Sequence, residues 1–260
     1  MQLINLIRNE NMKLLHQRST QALFACSVLL ILGLGLLQRY NSEITPEFYR
    51  NLWGFVLSAT SASGWISLVG IVLAAGSVAN EFSSGTIKQL LIRPVSRAKI
   101  LFSKFCSIVM ITLRIIAAMF ITSVLAGGLF YGFDSIASPS IPGLIEKDLL
   151  WQLLIRYGAV LVNGIVMIAL ALMLSVLFRN AMMAAAFGIL LSMLGTTTLT
   201  LVRDFSWAKY LLFAHSDLTP YINGHPLLPG MTLSFSLAMI ALYLLLFGLI
   251  TSLHFAKRDI

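Results

Sequence analysis

The chain has 260 residues, enough for one or two soluble domains, yet 58% of them are apolar and only 11% are charged. A soluble domain is about half apolar and about a quarter charged, so a water-facing exterior is excluded, as is disorder. Lipid is the expected solvent. The formal charge of +8, from 18 Lys and Arg against 10 Asp and Glu, then bears on membrane orientation and not on nucleic acid, which is not expected as a partner.

In chain order, residues 1–19 read as a short amphipathic helix lying along the inner leaflet. Leu3, Ile4, Leu6, Ile7, Leu14 and Leu15 share one side of the wheel, although Glu10, Asn11 and Arg18 interrupt it. Six apolar runs follow that can cross about 30 Å of hydrocarbon at about 1.5 Å per residue. They cover residues 22–38, 53–79, 105–133, 157–178, 181–202 and 231–256. The first starts late and has no small-x-small exit, so a cleaved signal peptide is not expected. Only Arg179 and Asn180 separate the fourth and fifth runs, which predicts a tight antiparallel hairpin. Cys26 and Cys106 fall inside apolar runs and form no CxxC pair. The chain therefore reads as an all-α integral membrane protein with six transmembrane helices.

Charge sets the orientation. With the N-terminus inside, eleven Lys and Arg fall in inner segments (Arg8, Lys13, Arg18, Lys88, Arg93, Arg97, Lys99, Lys104, Arg179, Lys257, Arg258). Five fall outside (Arg39, Arg50, Lys147, Arg203, Lys209). The positive-inside rule then makes both termini cytoplasmic.

Within the second run, small residues from Ser58 to Ser77 favour close helix packing over a substrate path. Arg114 lies about ten residues into the third run. It either faces a cavity and lines the pathway, or it snorkels to the inner interface from a helix whose span starts later. The outer segment 203–230 is too aromatic for a free loop and is expected to re-enter the membrane or cap its outer face. His215, Asp217 and His225 are too few to make a metal site there.

The connector between the second and third runs is the most informative stretch. It contains Glu81, Gly85-Thr86-Ile87-Lys88, Leu90-Leu91 and Arg93-Pro94, then Arg97 and Lys99. Gly85 breaks the preceding helix and Thr86 caps a short one. Ile87, Leu90 and Leu91 form an apolar edge, and Pro94 ends it. Basic residues around a few aliphatics suit the docking of a cytosolic protein. Charge alone would favour contact with anionic headgroups, and the order of Glu, Gly-Thr, apolar pair, Pro and Arg is what favours docking.

This order, Glu-x-x-x-Gly-Thr-Ile-Lys-x-Leu-Leu and then Arg-Pro-Val-Ser-Arg, resembles the signature of type-2 ABC exporter permeases. The basic amphipathic start, the six spans and the closing Phe255-Ala256-Lys257-Arg258-Asp259 extend the resemblance over the whole chain. It implies an N-terminal interfacial elbow helix (1–19), a coupling segment (81–100) and a single transmembrane domain in the bacterial plasma membrane. It also implies a second permease chain, identical or related, and two cytosolic ABC ATPase subunits that bind ATP and Mg. Glu81, Gly85, Thr86, Ile87, Lys88, Leu90, Leu91, Arg93, Pro94 and Arg97 would contact the ATPase. The chain has no G-x-x-x-x-G-K-[ST], so no nucleotide cofactor is expected on it. Its four His and ten acids, mostly in loops, assemble no catalytic constellation, so no catalytic role is expected either. The size and short outer loops look like those of the bacitracin, lantibiotic and sodium exporters, with a peptide antibiotic, drug or ion as cargo. The alternative is an ATP-independent secondary transporter or channel. The runs as bounded lack Asp and Glu, which argues against proton coupling.

Overall fold

The structure, a computed structural model, describes residues 2–41, 43, 45, 47–83, 96–132, 146–222 and 226–256. All regular structure among them is helical. In chain order it comprises α1 (Gln2–His16), α2 (Arg18–Tyr40), α3 (Leu52–Ala59), α4 (Ser63–Ser83), α5 (Arg97–Tyr131), α6 (Glu146–Phe178), α7 (Ala181–Leu201), the single turn α8 (Thr219–Ile222) and α9 (Leu233–Ala256). Six helical stretches are long and apolar enough to cross a membrane: Arg18–Tyr40, Leu52–Ser83, Arg97–Tyr131, Trp151–Phe178, Ala181–Leu201 and Leu233–Phe255.

Local chemistry explains the boundaries. Asn51 starts α3 by accepting the Gly54 amide at 2.7 Å. A 3-10 turn over Thr60–Ala62 then breaks the second span before α4 resumes at Ser63. The Thr60 hydroxyl donates to the Leu57 carbonyl there, at 2.7 Å. Gly132, at φ 82°, ends α5. Arg179 takes the left-handed conformation at φ 53°, and Asn180 caps α7 by accepting from Met182 and Met183. Two residues thus reverse the chain, as the Arg179-Asn180 spacing predicts.

Two spans run longer than their apolar runs. α5 starts at Arg97, eight residues before residue 105, and its 35 residues extend roughly 50 Å, well over a bilayer core. α6 starts at Glu146, before residue 157. Both extensions carry charges that end a hydropathy window without ending a helix.

The bundle is built around α4 and α6. The apolar stretch of the fourth span is 67% buried and that of the second 56%, against 22% for the first and fifth and 17% for the sixth. Small residues bring the central pair together. A Cβ on Gly70 would stand 2.9 Å from the Ile168 side chain. Nearby, the Ser175 hydroxyl donates to the Ala75 carbonyl at 2.7 Å and accepts the Ala79 amide at 3.0 Å. This is close packing of backbone on side chain, of the kind that drives association in lipid.

The segment 203–230, where described, folds back on the bundle through short turns over Ala208–Tyr210 and Leu212–His215 and through α8. Phe213 occupies the space beside Gly195 of α7. Leu212, Ala214 and His215 are buried, and the Tyr243 hydroxyl of α9 donates to the Tyr210 carbonyl at 2.8 Å.

Candidate functional site

The connector hangs between the last turn of α4 and the first turn of α5. Gly85, Thr86, Ile87, Lys88, Leu90, Leu91, Arg93 and Pro94 lie outside the described residues, so the site is built from what anchors the connector on either side.

On the α4 side that anchor is Glu81. α4 buries it, its side chain only 5% exposed, against Lys104 of α5, which is 2% exposed. One carboxylate oxygen, Oε1, accepts from the Lys104 ammonium at 2.7 Å and from the Lys13 ammonium of α1 at 2.6 Å. Lys104 also donates to Glu10 Oε2 at 3.0 Å. Two acids and two bases from three helices thus form a neutral chain, Lys13–Glu81–Lys104–Glu10. Buried charge survives only when paired in this way. Among the described residues Glu81 Oε2 has no hydrogen-bond partner, and Glu81 lines a cavity of about 630 Å³ between α1, α4 and α7. At Lys13, burial pulls the ammonium down, but the hydrogen bond to Glu81 and the charges of Glu81 and Glu10 outweigh it, so the pKa is raised above 10.5.

The cluster explains the interruptions in the amphipathic start. α1 packs along α5 with Leu6, Asn11 and Leu14 buried, while Ile4 and Leu15 are exposed. Glu10 and Asn11 therefore face the bundle, where they have partners. Asn11 Nδ2 meets the Met110 sulfur at 3.6 Å, and the Ser107 hydroxyl donates to the Ile7 carbonyl at 3.1 Å.

On the α5 side, Arg97 donates to the Phe255 carbonyl in the last turn of α9 at 3.0 Å. A helix leaves those carbonyls without intrahelical partners. The Phe255 ring meets Phe82 of α4 edge-on, with centroids 6.2 Å apart, and the Arg179 guanidinium lies 5.5 Å from the Phe82 centroid. Both roots of the connector are thereby tied to the last turn of α9, and the α4 root also reaches the α6–α7 turn.

Arg114, the other residue singled out, is exposed on α5 and donates to Asn11 Oδ1 at 2.6 Å. Of the residues expected to contact an ATPase, the structure brings Glu81 and Arg97 to the ends of one connector. Glu10, Lys13 and Lys104 complete the cluster and were not singled out in the sequence. The signal available for Glu10 was a carboxylate on the apolar face of an amphipathic helix, since such a group needs a buried cation.

Six helices long and apolar enough to cross a membrane, among the described residues, mark a multi-pass membrane protein. The chain belongs to the family described as "Protein of unknown function (DUF2705)", whose family model matches residues 6–260. It is similar to the "Uncharacterized protein YhcI" of Bacillus subtilis (strain 168), with 40% identity over 229 residues, covering 85% of this chain and 73% of that one. It is also similar to the "Uncharacterized membrane protein YdbK" of the same organism, with 33% identity over 213 residues, covering 81% and 84%.

Proposed function

We propose that the chain is the permease of an ATP-driven exporter, working as a pair in the cell membrane with two cytosolic ABC ATPase subunits. α1 would be the elbow helix on the inner leaflet, both termini would be cytoplasmic, and segment 81–100 would be the ATPase contact. One observation supports the reading above the others: the Lys13–Glu81–Lys104–Glu10 chain at the root of the connector, buried at Glu81 and Lys104. A coupling segment transmits force only if its roots are stiff. Here a push on residues 84–95 reaches α4 and α5 already locked to each other and to α1, so the three tilt together and bias an inward-open against an outward-open pathway. Arg97 carries the same push to α9.

A buried carboxylate with one free oxygen beside a cavity is also what a proton-coupled secondary transporter uses. That is the second reading, and one experiment separates the two. The tagged chain is recovered from native membranes in mild detergent and assayed for bound ATPase activity. An ABC ATPase should accompany the wild-type chain, and Gly85→Leu or Leu90→Glu should release it from a chain that still melts normally. Recovery of an intact chain with no ATPase, together with cargo transport in ATP-free liposomes, would sink the exporter reading in favour of the second.

A further inference from the structure

At the end of the bundle away from the connector lies a cavity of about 450 Å³, between the broken second span, α6, α7 and the folded 203–230 segment. Its volume is some fifteen times the liquid share of one water. Its wall carries hydroxyls beside apolar groups such as Val160 and Met167, and α6 contributes two polar side chains to it, Arg156 and Asn163. Seven residues apart, these two stand on one face of the helix, about 10 Å apart along its axis.

Their bonding is incomplete in a complementary way. Arg156 makes no hydrogen bond or ion pair among the described residues, and its Nε is buried without a partner. Asn163 donates through Nδ2 to the Ser67 hydroxyl at 3.1 Å, but its Oδ1 is buried and has no partner among the described residues. The neighbouring hydroxyls do not fill the gap, because the Ser67 and Thr196 protons go to backbone carbonyls of their own helices. Asp217, the one acid among the described residues of the wall, takes the Thr219 amide and hydroxyl on Oδ1 at 2.9 and 2.6 Å and forms no ion pair with Arg156. One end of the cavity therefore carries a cation with unused donors, and the other a lining residue whose buried acceptor is unused.

We propose that this cavity is a binding site for a polar ligand with a phosphate or carboxylate at Arg156 and a hydroxyl or amino donor at Asn163 Oδ1. A guanidinium is suited to the first group, since its planar fork matches two anionic oxygens at once. Neither a lipid tail nor an apolar drug satisfies either atom. A glycerophosphate-type headgroup and a small soluble anion share the required chemistry, and the test separates them.

The full-length chain, purified alone in detergent, is titrated with inorganic phosphate, with short-chain phosphatidylglycerol and with short-chain phosphatidylcholine, and binding is read as a saturable rise in melting temperature. Wild type should bind phosphatidylglycerol or phosphate, and phosphatidylcholine at least tenfold more weakly than the better of these. Arg156→Gln should weaken binding at least tenfold, with Arg156→Lys, which keeps the charge but loses the fork, in between. Asn163→Leu should weaken phosphatidylglycerol alone, because inorganic phosphate has no need of that acceptor. Binding of phosphatidylglycerol without phosphate assigns a headgroup, and phosphate binding of equal strength assigns a free anion. No saturable binding of either by wild type, or equal binding by Arg156→Gln, Arg156→Lys and wild type, overturns the proposal. No ATPase is in the assay, so its outcome stands apart from that of the exporter reading.

Discussion

At the residue scale, Glu81 is visible in the sequence because it opens a recognisable motif. Its partners are not, because Lys13 and Lys104 stand 68 and 23 positions away and Glu10 meets Lys104 across 94. No local pattern encodes such pairings. The cluster makes a non-additive prediction. Lys104→Met leaves Glu81 and Glu10 without their shared cation and should cost about 3–5 kcal/mol, the usual range for breaking a buried pair from one side. Adding Glu81→Gln should restore part of that loss, since the double variant buries one less charge, and one that only the half-exposed Lys13 would still balance. Melting of the two single variants and the double variant checks this, and strict additivity would mean that the pair is not coupled. His215 makes a second prediction. It is fully buried, bonded through Nδ1 to the Ser236 hydroxyl at 2.9 Å, with the Phe235 ring centroid 5.7 Å away. Burial lowers its pKa below 6.5, and the Lys209 backbone opposes this only in part. The unfolded segment then binds the proton more readily than the folded one, so the stabilisation is complete above pH 6.5 and is lost as pH falls from there toward the folded pKa. Proteolysis of segment 203–230 should accelerate as pH drops from 7.5 to 5.5 in the wild type, and the acceleration should vanish in His215→Phe.

At the scale of elements, the six spans were legible because hydropathy over some twenty residues is a strong signal. Their ends were less so. Hydropathy stops at charge, whereas α5 continues through Lys104 and Arg97 because Glu10, Glu81 and the α9 carbonyl supply partners. The break at Thr60–Ala62 was invisible, since Ser and Thr occur in helices and turns alike. Small residues pointed to close packing without naming the neighbour, which is α6 at Gly70. Gly70→Val should therefore overpack the α4–α6 contact and cost about 1–3 kcal/mol. Gly158→Ala, where an added Cβ meets nothing within 4 Å, should be neutral or raise the melting temperature slightly through helix propensity. Thermal melting of both in one detergent separates a packing role for Gly70 from a general intolerance of the helices to change.

For the whole molecule, the proposed topology of six crossings would put both chain ends on one side of the bilayer, and charge would decide which side. Moving the α5 boundary back to Arg97 leaves the eleven-to-five asymmetry with the same sign, because Lys99 and Lys104 stay toward the connector end of that helix. Reversing the orientation would carry the connector and most of the cations across the membrane, against the bias that fixes short loops. The expected outcome is therefore directional. In a chain with Cys26→Ala and Cys106→Ala, His16→Cys marks the connector end and Asp204→Cys the other, both at exposed positions. A membrane-impermeant maleimide added to intact cells should label Asp204→Cys at once and His16→Cys only after the membrane is permeabilised. The reverse pattern would place the connector outside the cell, where no ATP-driven subunit could reach it, and the cavity at Arg156 would then open to the cytosol. Orientation thus bears on both proposed sites together, while the ion cluster and the packing around Gly70 are the same in either direction.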